Sequence, residues 1–367
     1  MRLLSRISLP LALFIGNVLG QNSTIIVPDH AVNETSNVQF ISSSGLDGPK
    51  VVPVNATTWD WWYFDAVQVP DPERPDERAS VVVTFYTAQH TGFDMLTLYE
   101  TQGFTSLTLA EVAISWPNGT LGSYFFNATE ARITTAGDGA SGVWLESEES
   151  ARFIGTPDMS RYRLELNSSV IEGSIELQST APAHYPCGPN EENQTMEVAP
   201  HIGWSNAIPD GTSDVKLRVE GEDLSFTGIA YHDKNWSDRN FVSEVGVWYW
   251  GHAHVGNYSI VWFDYLSPAP ELERHVSAYV ARDNHILTAQ CSGISARPYG
   301  ENSTYPPHRG DGLPEGFDVN VDIPGEDALH VRVQAQTKVT AGAGSMYARW
   351  IGPAWAVVDG RNNEIVN

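Results

Sequence analysis

Short β-branched or alternating runs, each closed off by Gly, Pro, Asn or Asp, recur along nearly the whole chain, and no other feature limits its fold so strongly. Residues 80–89, 95–100, 162–166, 174–179 and 215–220 read as strands, and so do 245–250, 259–265, 276–282, 317–323 and 329–339. In the last of these, Val331, Val333 and Ala335 fall on one face and Arg332, Gln334 and Gln336 on the other. No long amphipathic helix is found beyond the first twenty residues. So many antiparallel strands joined by turns predict an all-β fold of sandwiches or barrels, which hide their edges.

The 367 residues are too many for one ordinary core and divide best into two β domains in series. The border is placed in the polar, Pro- and Gly-containing stretch 206–214, giving an N-terminal domain of residues 21–210 and a C-terminal domain of residues 211–367. Trp62-Tyr63-Phe64-Asp65 and Val261-Trp262-Phe263-Asp264 form a weak echo between the halves, short enough to arise by chance.

Residues 1–20 carry Arg2 and Arg6 ahead of an apolar run from Ile7 to Leu19, with small residues at Val18 and Gly20, the pattern of a cleavable signal peptide. The run falls short of the ~20 residues that span a bilayer, and no later segment is apolar enough, so no span is expected after cleavage. Ten Asn-X-Ser/Thr sequons agree with passage through a secretory lumen: Asn22, Asn33, Asn55, Asn118, Asn127, Asn167, Asn193, Asn235, Asn257 and Asn302. Asn235 is the doubtful acceptor, because its neighbours suggest burial. In that compartment Cys187 and Cys291 are expected as one disulfide, with two buried thiols as the alternative. A net charge of −24 would repel phosphate backbones and anionic membranes, so nucleic acid partners are excluded.

Three clusters offer chemistry. In Trp59-Asp60-Trp61-Trp62-Tyr63-Phe64-Asp65, alternation sends Asp60 and Trp62 to one face and Trp59, Trp61, Tyr63 and Asp65 to the other. Such a strand serves either as core or, with a carboxylate beside Trp62, as a pocket wall. In Ala230-Tyr231-His232-Asp233-Lys234-Asn235-Trp236, an extended backbone puts His232, Lys234 and Trp236 on one side as ligand donors and an aromatic wall; the alternative is an internal ion-pair network of Asp233 with Lys234 or Arg239 that ties two strands together. Residues 247–254 and 261–265 read as a hairpin turned near Gly256-Asn257. Its His252 and His254 point the same way, but a zinc site wants three or four convergent ligands, so no metal is expected. There is no G-x-S-x-G elbow, phosphate loop or H-E-x-x-H helix, which removes the common hydrolase, kinase and dinucleotide templates. Glycosidase carboxylate pairs stay open, since their separation is set in three dimensions.

At Trp59-Asp60, Trp62-Tyr63-Phe64-Asp65, Tyr231-His232-Asp233-Lys234-Asn235-Trp236, Trp248-Tyr249-Trp250-Gly251-His252 and Val261-Trp262-Phe263-Asp264 the chain resembles the superfamily joining carotenoid 1,2-hydratase-like proteins to fungal lipocalin-like Diels–Alderases. The resemblance implies two lipocalin-like β domains, no cofactor, and an intramolecular [4+2] cycloaddition on a polyene from a polyketide synthase–peptide synthetase pathway. The product would be an isoindolone of the cytochalasan type or a decalin tetramate, with a lean to the former. The hydratase branch has a second His where this chain has Lys234 and a Tyr where it has Trp262, and losing those polar groups disfavours alkene protonation.

A cycloaddition needs diene held over dienophile in one near-attack conformer, and a donor on the dienophile carbonyl. Asp60, His232 and Lys234 are therefore expected to carry the chemistry. Trp62, Tyr63, Trp236, Tyr249, His252, Trp262, Asp264 and Lys338 are expected to contact substrate, although Lys338 also suits an exposed, snorkelling position. The competing classes are a carrier that binds an apolar ligand unchanged, and a structural glycoprotein, which would leave Asp60, His232 and Lys234 without a role.

Overall fold

The Trp59–Gln68 strand runs inside a large antiparallel sheet, between Ser80–Ala88 and Glu222–Ser237. Both of its faces are covered through Ala66, which is why it reads as a run of aromatics rather than as an apolar–polar alternation. The protein is described here from a computed structural model covering residues 22–301, 303–308, 310–341, 347–358 and 365–366. The expected leader and the sequon at Asn302 lie outside the described residues.

The sheet has fifteen strands. From the Ser23–Pro28 edge it passes through five meander strands between Glu130 and Ser179 to the long pair Ile202–Val219 and Glu222–Ser237. It continues through Trp59–Gln68 and Ser80–Ala88 to Leu109–Ser115 and Leu121–Asn127. The sheet curls on itself: Phe64 and Phe153, five strands apart in the order, have ring centroids 5.3 Å apart across the interior, and Phe85 meets Trp144 at 4.8 Å. A flat sheet could not bring them together, since neighbouring strands are about 4.8 Å apart. Trp62, Phe64, Phe85, Trp144, Phe153 and Tyr162 fill this half-barrel.

A second β unit follows. A four-stranded sheet (Val247–Val255, Tyr258–Leu266, Arg274–Arg282, His285–Gln290) and a five-stranded sheet beginning at Ile294–Tyr299 share a core of Val255, Ile260, Trp262, Val280, Val319 and Val331. A separate hairpin, Thr337–Ala341 with Ala348–Ile351, packs near the Leu109–Ser115 strand of the first unit. Among the described residues the only α-helices are the four-residue Thr97–Glu100 and Phe241–Glu244, and no helix is long and apolar enough to cross a membrane.

Several expectations change. The border at residues 210 and 211 falls inside the Ile202–Val219 strand, and the chain leaves the first sheet only after Ser237. Pro209 and Gly211 imitate a linker because the strand is irregular there, its pairing shifting between Asn206, Ile208 and Gly211. Residues 95–100 form helical turns, not a strand, with Leu96 buried and Met95 and Tyr99 packed against the aromatic cluster around Trp59 and Trp61. Residues 329–339 break into two strands after Gln334. The echo is not a structural repeat: Phe64 faces the interior of its own unit whereas Phe263 faces the other unit.

Cys187 and Cys291 are bonded, closing 104 residues and tying a branch of the large sheet to the end of the four-stranded one. Asn235 is buried, its amide donating to the Gly203 carbonyl at 3.1 Å. Gly203 itself must lack a side chain, because a Cβ there would meet the Trp236 indole at 2.0 Å.

Candidate functional site

The two faces of the Trp59–Gln68 strand meet different environments. Asp60, Trp62 and Phe64 point into the half-barrel with His232, Lys234 and Trp236 from the neighbouring strand, as alternation predicts. There the Lys234 ammonium donates to Asp60 Oδ1 at 2.5 Å and lies 4.5 and 4.6 Å from the Trp62 and Trp236 ring centres. The Lys50 backbone N–H takes the other Asp60 oxygen at 2.7 Å, and the Lys50 ammonium donates to the Gly45 carbonyl. His232 stacks on Phe64 at 3.7 Å, its Nδ1 bonds the Tyr63 carbonyl, and its Nε2 lies 3.1 Å from Asp47 Oδ1 without hydrogen-bond alignment.

This group is sealed: Asp60 is 1% exposed, and His232, Lys234, Trp62 and Trp236 are 0% exposed. Burial pushes Asp60 up and Lys234 down, and each charge holds the other back. Burial, and then the Lys234 charge, pull Lys50 down to about 7. The arrangement is an internal ion pair, but not the one expected of Asp233: Lys234 pairs with Asp60 of the neighbouring strand, while Asp233 accepts from Tyr231 and Trp204, and the pair is closed off from solvent.

The opposite face is a wall shared between the two units. Trp59, Trp61 and Tyr63 from one strand and Tyr231 from the next meet Trp248 and Trp250 of the Val247–Val255 strand and Phe93, Tyr86 and Phe241 around the rim. Trp59 and Trp61 stack at 4.4 Å, and Tyr63 meets Trp250 edge to face at 5.3 Å. Polar groups are set into this wall. Tyr63 donates to Asp65 Oδ2 at 2.8 Å, and His252 Nε2 approaches the same oxygen at 3.0 Å while its ring stacks on Tyr231. Tyr231 and Trp204 both donate to Asp233 Oδ2, and burial raises Asp233 to about 6. Tyr99 and Tyr86 donate to Glu111 Oε2 at 2.9 and 3.4 Å, and burial holds the Glu111 carboxyl above its usual range. The hairpin of the second unit brings the Arg349 guanidinium over the Tyr63 ring at 5.2 Å.

Of the residues expected to contact substrate, Tyr63 and His252 lie on this shared wall. Tyr249, Trp262 and Asp264 point the other way, into the second unit. Asp264 is fully used there, bonded by Arg274 through two nitrogens at 2.8 Å and by Arg297 at 2.6 Å. Lys338 is exposed on the hairpin. His252 and His254 diverge onto separate carboxylates, Asp65 and Asp210. Glu111, Tyr86, Tyr99 and Arg349 were not singled out from sequence. Glu111 had a signal, as a lone carboxylate in the apolar run Leu109–Ser115. Arg349 had none, because nothing local says where its hairpin docks.

The sequence model of a family described as Diels-Alderase-like matches residues 29–299. The quinolone epoxide rearrangement protein asqO of Emericella nidulans is 31% identical over 310 residues, which is 83% of this chain and 80% of that protein. Its counterpart penF of Penicillium thymicola is also 31% identical over 310 residues, covering 81% and 80%. The Diels-Alderase phmD of Phaeosphaeria nodorum is 27% identical over 202 residues, covering 54% and 52%. The crystal structure of CghA with Sch210972 superposes with a TM-score of 0.75 at 17% identity, over 94% of this chain and 96% of that one, a likeness of fold.

Proposed function

The chain belongs to the Diels-Alderase-like family, and on that premise we propose that it catalyses an intramolecular [4+2] cycloaddition of a conjugated polyene, a polyketide–amino acid hybrid, on the wall between its two β units. The observation that carries this reading is the contrast between the two faces of one strand. The inner face is sealed, whereas Trp61, Tyr63 and Tyr86 on the outer face keep 8%, 9% and 8% of their surface exposed beside half-buried Trp250, Glu111 and Arg349.

The chemistry asks for shape first. Flat aromatic side chains on both units would hold a folded polyene in one near-attack conformer, replacing chain entropy with binding. Arg349 is the best-placed cation to draw charge from the dienophile carbonyl, an effect worth about 2–4 kcal/mol when it strengthens in the transition state. Asp60, Lys234 and His232 then act as positioning residues, fixing the strand that carries Tyr63 and Asp65.

A second reading is favoured by Glu111. A carboxyl whose pKa burial raises and which two phenols orient is suited to act as a general acid, and acid opening of an epoxide fits the names of the two relatives that span most of the chain. Both reactions are isomerisations. The test is to incubate purified protein, with and without chelator, with a linear polyene bearing a pyrrolinone or tetramate head and separately with a quinolone epoxide. Accelerated formation of a product of unchanged mass from the polyene supports cycloaddition, and from the epoxide the second reading. Tight binding with no rate or stereochemical change from either would make the protein a carrier. We place it in the secretory lumen, from the leader and sequons, and in a pathway of fungal secondary metabolism, from its relatives.

A further inference from the structure

Two buried polar atoms beside Tyr63 have no hydrogen-bond partner: Asp65 Oδ1 and Arg349 Nη2. Their placement is not incidental to the wall. Asp65 Oδ2 already accepts from Tyr63 and is met by His252, so the second oxygen is the one left over. Arg349 lies over the face of the same Tyr63 ring, on a hairpin that comes from the other unit. A buried polar atom without a partner is costly, and proteins seldom keep two at one place unless something else supplies the bonds.

The chemistry of the pair limits what that is. An ionised carboxylate only accepts, and a guanidinium only donates. Burial alone would raise Asp65, but the His252 charge and hydrogen bond, with Arg349 and Tyr63 behind them, outweigh it and hold the carboxyl below its usual range. An anionic ligand would serve Arg349 yet be repelled by Asp65, and a cation would do the reverse. A neutral group with one donor and one acceptor satisfies both. A ring amide presents N–H and C=O on the same edge, whereas an open-chain trans amide points them apart, and a flat ring also suits the aromatic surroundings of Tyr63 and Trp250.

We infer that Asp65 and Arg349 form a two-point reader for a lactam edge, with Asp65 Oδ1 accepting from the ring N–H and Arg349 donating to the neighbouring carbonyl oxygen. This rests on the shared wall being the substrate site, and it assigns the head group's recognition to residues from both units.

The test is equilibrium binding to the full-length protein, followed by tryptophan fluorescence, of three probes: 2-quinolinone, its N-methyl derivative and quinoline. The wild type should bind 2-quinolinone about tenfold or more tightly than the N-methyl probe, because methylation leaves Asp65 unpaired. Asp65→Asn should abolish that preference. Arg349→Met, a change on a peripheral hairpin, should weaken 2-quinolinone and its N-methyl derivative by a similar factor and leave quinoline, which has no carbonyl, unaffected. Equal binding of the three probes by the wild type, absence of binding, or an N–H preference that survives Asp65→Asn would each overturn the inference. Should Asp65→Asn fail to fold, the Arg349→Met comparison decides alone. Binding is read without turnover, so a protein that discriminates the probes but converts neither polyene nor epoxide refutes the proposed activity and not the reader.

Discussion

Lys234 Nζ sits 2.5 Å from Asp60 Oδ1 with both side chains cut off from solvent, and the ammonium is enclosed by the indoles of Trp62 and Trp236. A pair of this kind gains little over well-packed apolar residues, but removing one partner strands a buried charge. Lys234→Met should therefore cost about 3–5 kcal/mol of stability in urea unfolding, and Lys234→Met combined with Asp60→Leu should recover part of it. A Lys234→Met protein of normal stability and no activity would return this lysine to the catalytic set.

The His254 imidazole joins the units by bonding Asp210 Oδ2 at 2.6 Å, an oxygen that Ser259 shares. The Asp210 bond raises the His254 pKa, so its stabilisation is fully present below the unfolded value of about 6.5 and is lost as pH rises through the folded value. Because the side chain is 44% exposed, solvent screening limits the effect to about 1 kcal/mol or less. The thermal midpoint should fall slightly as pH is raised from 6 to 8 in wild type, and this component should vanish in His254→Gln.

The Cys187–Cys291 bond reinforces a docking already made by Tyr279, which stacks on His184 at 4.0 Å and donates to the Pro182 carbonyl. Reduction, or a double Cys→Ser change, should cost about 2–5 kcal/mol. Thermal melts with and without reductant measure it; an unchanged midpoint would show that the bond constrains nothing the fold does not already hold.

If Glu111 is an acid, its raised pKa sets the high-pH limb of the rate. Turnover of an epoxide substrate should decline as pH climbs through that value, and Glu111→Gln should lower the rate by about 10²–10⁴ and flatten the limb. A [4+2] reaction should show no such limb, so the pH–rate profile separates the two chemistries.

Secretory passage would leave glycans on exposed sequons such as Asn22, Asn118, Asn167 and Asn257, but not on Asn235, which is buried in the Glu222–Ser237 strand. Glycopeptide mass spectrometry of the native protein should find Asn235 bare. An occupied Asn235 would require modification before that strand pairs.

The all-β character, the alternation that splits Asp60 and Trp62 from Tyr63 and Asp65, and the clustering of His232, Lys234 and Trp236 were all legible in the sequence. Each follows from the two-residue period of a strand, which is a local property of the backbone. What alternation cannot say is which side of a strand becomes the inside of a barrel and which is roofed by another unit. With both faces apolar the pattern is symmetric, and the carboxylate beside Trp62 pointed to a pocket when Lys234 from the neighbouring strand had sealed it. The border at residue 210 was misplaced for a similar reason, since Pro209 and Gly211 mark a bulge as readily as a linker. Arg349 over Tyr63, His252 on Asp65 and His254 on Asp210 join residues between 44 and 286 positions apart in the chain. Those contacts exist only because the second unit docks on the outer face of the first, and it is this docking, set by long-range burial, that builds the wall on which we place the substrate.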